Sequence, residues 1–257
     1  FFFQPSAGIR HSSTSRGLGD VYKRQLVRHG QSVWNLENRF TGWVDVDLTK
    51  NGMLEAEKAG FLIKNKNIKI DKYFSSLQLR ANNTLKIIQK ILNDEDDFPR
   101  AWQLNERHYG ALTGLNKIEM AQKIGEDKIF EFRRSWDTKP EPLDKKSPYH
   151  PFNIETYKNI PKEIIPDTES LKDTYERVLK YFHDEIEKIL LNKNVLVSAH
   201  GNSIRALCKY LFKLDSSQIS KLEIPTGNPL IIEFDDKFKI KNCEYLDKER
   251  SKDLLIF

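Results

Sequence analysis

Short apolar runs alternate with helical periods along most of this chain, and that alternation limits its possible folds more than any other feature. Leu26-Val27, Lys72-Tyr73-Phe74-Ser75 and Val195-Leu196-Val197 have the length and character of strands. Thr49 reads as the N-cap of a helix whose inner face carries Met53, Ala56, Ala59, Gly60 and Ile63. Leu85, Ile88, Ile91 and Leu92 keep helical spacing after the second run, and Ile204, Leu207, Cys208 and Leu211 do so after the third. The stretch from Glu169 to Leu191 carries one stripe of Leu171, Thr174, Val178, Phe182, Ile186 and Ile189, the mark of an amphipathic helix. Arg100 to Leu104 reads as a further strand. Leu230 to Phe234 and Phe238 to Ile240 read as a hairpin turning at Asp235-Asp236. Strand–helix repetition of this kind predicts one α/β domain with a mostly parallel central sheet.

Composition removes several classes. With 39% hydrophobic and 31% charged residues, and only 12 Gly and 10 Pro in 257, the chain is neither collagen-like nor of low complexity, and disorder throughout is not expected. Apolar runs such as Leu230-Ile231-Ile232 fall far short of the ~18–20 residues that span a bilayer. A soluble globular protein is expected. Cys208 and Cys243 offer no disulfide framework and no C-x-x-C spacing, which points to a reducing, cytoplasmic setting. A net charge of +5 leaves open a small anion or a nucleic acid as partner. A nucleic-acid surface needs a Lys/Arg patch with interleaved aromatics, and the dispersal of the lysines among acids argues against it.

Six of the ten prolines fall between 140 and 166, so that stretch is expected to be a long insertion, ordered or lid-like. The first two dozen residues lack period and read as a translation artefact, or else as an Arg- and Ser-rich transit segment. Residues 1–24 are therefore set apart from a catalytic domain at 25–246 and a short tail at 247–257.

Chemistry gathers where two apolar runs end alike, at Arg28-His29-Gly30 and at His200-Gly201-Asn202. Ligands of open α/β sheets bind at the carboxyl ends of strands, so adjacent parallel strands would bring both histidines to one rim. A neutral histidine is a nucleophile, and a protonated one a cationic donor. Arg28 and Arg80 follow strands and suit a phosphate. Arg133-Arg134 forms a guanidinium pair, although taken alone it reads as a solvated helix face. Glu106, in the polar stretch Leu104 to Gly110, is a candidate general acid/base. His11, His150 and His183 read as structural or incidental. No Walker loop, H-E-x-x-H, G-x-G-x-x-G or G-x-S-x-G is present, and nothing has the spacing of a metal cluster.

Longer stretches carry a resemblance. LVRHGQSVWNLENRFTGWVDVDL (Leu26–Leu48), LNERHYGALTGLNK (Leu104–Lys117), FRRSWD (Phe132–Asp137), TESLKDT (Thr168–Thr174), SAHGNSIRALCKYL (Ser198–Leu211) and IPTGNPL (Ile224–Leu230) resemble the cofactor-dependent phosphoglycerate mutases of the histidine phosphatase superfamily. That resemblance implies a three-layer sandwich, with helices on both faces of the sheet. It implies His29 as the phosphoryl acceptor, with Arg28, Asn35, Arg80, His200, Gly201 and Asn202 around the phosphate. Glu106 then moves the proton of the substrate hydroxyl, and Thr41, Gly42, Tyr109, Lys117, Arg133 and Arg134 bind substrate. The implied reaction interconverts 3- and 2-phosphoglycerate. It is primed by 2,3-bisphosphoglycerate and needs no metal, and the implied partners are small phosphorylated three-carbon acids, with a homodimer or homotetramer as the assembly. Clustered Arg and His can neutralise a transferring phosphoryl group.

Three departures accompany the resemblance. Gln31 stands where the family has Glu, the strand before Arg28 is expected to be shortened by Lys23-Arg24-Gln25, and the chain stops early compared with family tails. Within the superfamily, the alternatives are a phosphatase that hydrolyses phospho-His29 and a bisphosphoglycerate synthase. Lys117 with Arg133-Arg134 argues against the first, and Ser32, where synthases carry Gly, against the second. A non-catalytic scaffold is opposed by the retention of both histidines and Glu106.

Overall fold

In the computed structural model, residues 22–190, 192–235 and 237–251 are described. The processing or artefact reading of the first residues falls mainly on 1–21, outside that range, as do residues 252–257 of the tail. The chain opens with β1 (Tyr22–Arg28), a single turn α1 (Val33–Leu36), α2 (Lys50–Asn65), β2 (Lys72–Ser75) and α3 (Leu79–Leu92). After a long polar connection come α4 (Lys117–Ile124) and α5 (Glu126–Arg134), then the proline-rich segment, α6 (Leu171–Tyr181) and α7 (Glu187–Leu190). The last third holds β3 (Val195–Ala199), α8 (Gly201–Leu211), α9 (Ser216–Lys221), β4 (Pro229–Phe234) and β5 (Ile240–Tyr245).

The five strands form one sheet in the order β2-β3-β1-β4-β5. β2, β3 and β1 are parallel neighbours, β4 pairs antiparallel with β1, and β5 pairs antiparallel with β4. Four strands thus run one way and β4 alone is reversed. Alternation along the strands builds the layers. Leu26, Val195 and Val197 join Leu171, Val178, Ile204 and Leu207 in the core under α6 and α8. Val27, Tyr73 and Leu196 face the other way, onto Ala59, Ile63, Leu85 and Ile88 of α2 and α3. Helices therefore cover both faces, and the central strands read as continuous apolar runs because neither side meets water.

Several boundaries differ from the sequence reading. β1 starts at Tyr22, so it is not shortened, and three residues set apart with the N-terminal segment belong to the sheet. Its backbone pairs with β3 from Arg24 and with β4 from Tyr22, and ladder bonding is indifferent to the polar character of Lys23-Arg24-Gln25. Arg100 makes one parallel bridge to Ser75, and the chain then turns into a 3₁₀ helix at Trp102–Leu104 instead of a strand. The long amphipathic helix is interrupted by a π-helical turn at Phe182–Ile186. The second hairpin arm lies beyond Ile240, and Met53 is 42% exposed where an inner-face residue was expected. Thr49 does cap α2, its Oγ1 accepting from the Gly52 N–H at 3.0 Å.

The proline-rich segment carries three single 3₁₀ turns and packs Tyr157, Ile160 and Ile165 around Trp43. It thereby buttresses the loop through Thr41, Gly42 and Trp43, which borders the rim where β1 and β3 end.

Candidate active site

Because β1 and β3 are parallel neighbours with Arg28 opposite Ala199, the residues after each strand emerge side by side. The His29 N–H donates to the Ala199 carbonyl at 3.0 Å, and the His29 and His200 ring centroids are 5.0 Å apart. His29 Nδ1 lies 2.7 Å from the Gly30 carbonyl oxygen. A carbonyl only accepts, so the proton sits on Nδ1 and Nε2 keeps its lone pair. Burial, followed by the charges of Arg80 and Arg28, holds the His29 imidazole well below the usual histidine range. The ring is therefore neutral near pH 7, the state a nucleophile requires. His200 is lowered likewise, by burial first and then Arg80, and its Nε2 shares a 2.7 Å hydrogen bond with Ser76 Oγ.

The loop carrying His29 sits hard against the first turn of α2. A Cβ on Gly30 would come within 2.1 Å of the Gly52 carbonyl oxygen, and one on Gly52 within 2.0 Å of the Gln31 carbonyl oxygen. Only paired glycines permit that approach.

Two guanidinium groups frame the histidine. Arg80 donates from Nη1 to the Val44 carbonyl at 2.9 Å and from Nη2 to the Gly42 carbonyl at 3.0 Å. Arg28 Nη1 donates to the Ile224 carbonyl at 2.7 Å, from the loop that leads into the reversed strand β4. Among the described residues Arg28 Nε and Arg80 Nε are buried donors without an acceptor, which suits them to an anion in the cavity.

Glu106 is 9% exposed, and its Oε1 accepts from the Arg107 N–H at 2.8 Å and the Asn202 N–H at 3.2 Å. Its Oε2 accepts no hydrogen bond among the described residues and is left to the cavity. Asn202 Nδ2 donates to the Tyr109 hydroxyl at 3.0 Å. Burial pushes the Tyr109 phenol up, but Arg107, Arg133 and Lys117 outweigh it and the net shift is downward. Lys117, the first residue of α4, donates from Nζ to the Arg39 carbonyl at 2.7 Å. Burial, with Arg133 and Arg28 adding to it, lowers its ammonium to about 8. Arg133 and Arg134 close α5. Arg134 pairs with Glu223 and is 12% exposed, so the pair is turned into the site instead of forming a solvated face.

These groups line one cavity of about 130 Å³. Its wall holds six arginines and one lysine against two carboxylates, Glu106 and Glu223, so positive charge is concentrated where the anion would sit. Of the residues singled out in the sequence, Arg28, His29, Asn35, Thr41, Arg80, Glu106, Tyr109, Lys117, Arg133, Arg134, Gly201 and Asn202 all line it. His200 stands behind His29 instead, and Gly42 contributes a carbonyl that holds Arg80. Arg39, Arg205 and Glu223 also line the cavity and escaped the sequence reading. Arg39 and Arg205 lie inside the quoted motifs. Arg205 sits on the otherwise apolar face of α8, with Nη1 on Asn202 Oδ1 at 2.7 Å. His150 is buried against Asp167, and His183 pairs with Glu187. Neither lines the cavity, and His11 lies outside the described residues.

A mixed sheet whose parallel strands β1 and β3 end in paired histidines under a cationic cavity matches a known class, and the chain belongs to the histidine phosphatase superfamily (branch 1), whose profile matches residues 25–243. It is 69% identical over 233 residues to the 2,3-bisphosphoglycerate-dependent phosphoglycerate mutase of Pelagibacter ubique (strain HTCC1062), covering 90% of this chain and 98% of that one. It is 50% identical over 231 residues to the protein of the same name from Borreliella burgdorferi (strain ZS7), covering 89% and 93%. Among solved structures, phosphoglycerate mutase from Bacillus anthracis str. Sterne is similar with a TM-score of 0.63 at 22% identity, over 88% of this chain and 93% of that one. A mycobacterial glucosyl-3-phosphoglycerate phosphatase has a TM-score of 0.65 at 18% identity, over 87% and 98%. At these identities the structural likeness is one of fold. Among the described residues, no helix is long and apolar enough to cross a membrane.

Proposed function

We infer that this chain is a phosphoglycerate mutase that interconverts 3- and 2-phosphoglycerate through a phosphohistidine at His29. The observation that carries this reading is the presence of two cationic groups in one cavity. Arg28 and Arg80 stand beside the neutral His29, and Lys117, Arg133 and Arg134 come from α4 and α5. A phosphatase needs only the first group. A substrate that is anionic at both ends, and that must be held while a phosphoryl group leaves and returns, uses both.

2,3-Bisphosphoglycerate supplies the priming phosphoryl group, and the unpartnered Nε donors of Arg28 and Arg80 fit such a group. In the charged enzyme, the phosphoryl group is on His29 Nε2, since Nδ1 is committed to Gly30. Glu106 Oε2 takes the proton of the substrate hydroxyl as that oxygen bonds to phosphorus and the N–P bond breaks. After the bound molecule turns over, His29 Nε2 attacks the other phosphoryl group, and Glu106 returns the proton to the departing oxygen. Arg28 and Arg80 balance the equatorial charge throughout, so the protein holds the developing charge before it forms. His200 restrains the ring against which it packs.

A cytoplasmic setting belongs to the same proposal, supported by a chain with only two cysteines, Cys208 and Cys243, too few for a disulfide framework. So does turnover without a metal. Assembly as a dimer or tetramer is the further expectation, tested by sedimentation. The function itself is tested by a coupled assay on 3-phosphoglycerate with and without added 2,3-bisphosphoglycerate. Activity that depends on the primer supports the reading; phosphate release without isomerisation would point to the phosphatase instead.

A further inference from the structure

One fully buried side chain outside the cavity lining ties together two residues within it, Arg80 and Glu106. Gln78 follows β2 at the N-cap position of α3, where its side chain makes no cap bond and turns to other partners. Its Oε1 accepts from Arg80 Nη2 at 3.1 Å and from the Glu106 backbone N–H at 2.9 Å. Its Nε2 donates to the Gly42 carbonyl at 2.9 Å and to the Tyr157 hydroxyl at 3.2 Å. The amide orientation is unambiguous. A flipped amide would set NH₂ against a guanidinium and an N–H, and oxygen against a carbonyl. The Tyr157 hydroxyl donates to the Trp43 carbonyl, so the proline-rich segment is tied into the same set of bonds. The Gln78 N–H, in turn, donates at 3.1 Å to Ser76 Oγ, the partner of His200.

We propose that Gln78 is a positioning residue that sets the register between the Arg80 guanidinium and Glu106. This rests on the phosphoryl-transfer reading of the site. The guanidinium and the backbone of the proton carrier hang from one oxygen atom, so neither moves without the other. Arg80 has two further acceptors, on Val44 and Gly42, and keeps its place as an anion holder without Gln78. The Glu106 N–H has Gln78 Oε1 as its acceptor, while Arg177 holds the Asn105 and Glu106 carbonyls at 3.0 Å each, so losing Gln78 lets the Glu106 peptide tilt about the carbonyls that Arg177 still anchors. Anion binding and transfer should therefore come apart when Gln78 is removed. Displacement by about 1 Å in a reacting constellation costs up to ~10²-fold in rate.

The test compares wild type, Gln78→Met and Gln78→Glu for vanadate affinity and for turnover of 3-phosphoglycerate per vanadate-binding site. Methionine matches the length without a strong acceptor. Glutamate keeps an oxygen facing Arg80 and the Glu106 N–H while losing both donors. For Gln78→Met, kcat is expected to fall about 10–100-fold, with KM and vanadate Kd moving less than about threefold. Gln78→Glu should stay within about tenfold of wild type in kcat. A merely structural role would lower the thermal midpoint and the number of sites but leave turnover per site unchanged. Wild-type turnover per site in Gln78→Met, or a loss of vanadate affinity in step with kcat, overturns the proposal. Should the methionine variant not fold, a folded Gln78→Glu losing about a hundredfold overturns it alone. If wild type binds vanadate but does not isomerise, the functional reading is at fault, and the same comparison is made on the rate at which His29 takes label from 2,3-bisphosphoglycerate.

Discussion

Replacing Glu106 by Gln removes one proton-carrying oxygen and almost nothing else. Oε1 is fixed by the N–H groups of Arg107 and Asn202 at 2.8 and 3.2 Å, and a glutamine oxygen in the same place keeps both bonds. The amide NH₂ then replaces Oε2, the oxygen left to the cavity. It cannot accept the hydroxyl proton, so the nucleophilic oxygen must attack with its proton in place or lose it to water. Positioned general acid/base catalysis contributes about 10²–10⁴-fold, which corresponds to about 2.7–5.5 kcal/mol in the barrier. Turnover of 3-phosphoglycerate should fall by that factor, while KM and vanadate affinity hold or improve as a carboxylate leaves a cavity rich in cations. Thermal unfolding should stay within about 0.5 kcal/mol of wild type because no buried donor is orphaned. Coupled kinetics, vanadate titration and a melt on one preparation read all three. A rise in KM with kcat unchanged would make Glu106 a binding residue, and a melt lowered by many degrees would make it a structural one.

Further outcomes follow from the same geometry. The Lys117 ammonium, lowered to about 8, is charged below that pH and neutral above it, so kcat/KM should decline as pH rises through about 8. In Lys117→Met that limb should disappear from the profile; its persistence would assign the limb elsewhere. Gly52→Ala forces a methyl into the Gln31 carbonyl, 2.0 Å away, an overpacking worth about 1–3 kcal/mol, and about 2–4 °C of midpoint for each kcal/mol in a chain this size. An unchanged melt with full activity would contradict the packing of α2 on the His29 loop. Turnover should survive EDTA and be blocked by vanadate, whereas loss on chelation with recovery in manganese would call for different chemistry.

Much of the site was legible because its residues sit at strand ends. The abrupt change from Leu26-Val27 to Arg28-His29-Gly30, repeated at Ala199-His200-Gly201, marks two strand termini, and their adjacency in the sheet follows from parallel pairing. The layers were legible for a similar reason, since Val195-Leu196-Val197 must meet apolar helices on both sides. What stayed hidden depends on tertiary environment. Arg205 falls at helical spacing among Ile204, Leu207 and Cys208, and only the fold aims its guanidinium at Asn202 and the Leu222 carbonyl. Gln78 looks like an ordinary polar residue before a helix, because its four partners are 2 to 79 positions away. Lys23-Arg24-Gln25 reads as a break in β1 because its residue types are polar, yet Lys23 pairs with β4, and Arg24 and Gln25 pair with both β3 and β4. Arg133-Arg134 looked solvated because Glu223, the partner of Arg134, lies 89 residues on.

The central claim is that His29 Nε2 carries the phosphoryl group between the two positions of the substrate. Incubation with labelled 2,3-bisphosphoglycerate, followed by quenching and acid and base stability tests, measures it directly. Acid-labile, base-stable label is expected on wild type, together with loss of that label from His29→Ala and its transfer to product when unlabelled 3-phosphoglycerate is added. Label retained by His29→Ala, or wild-type label that product never acquires, would contradict the account.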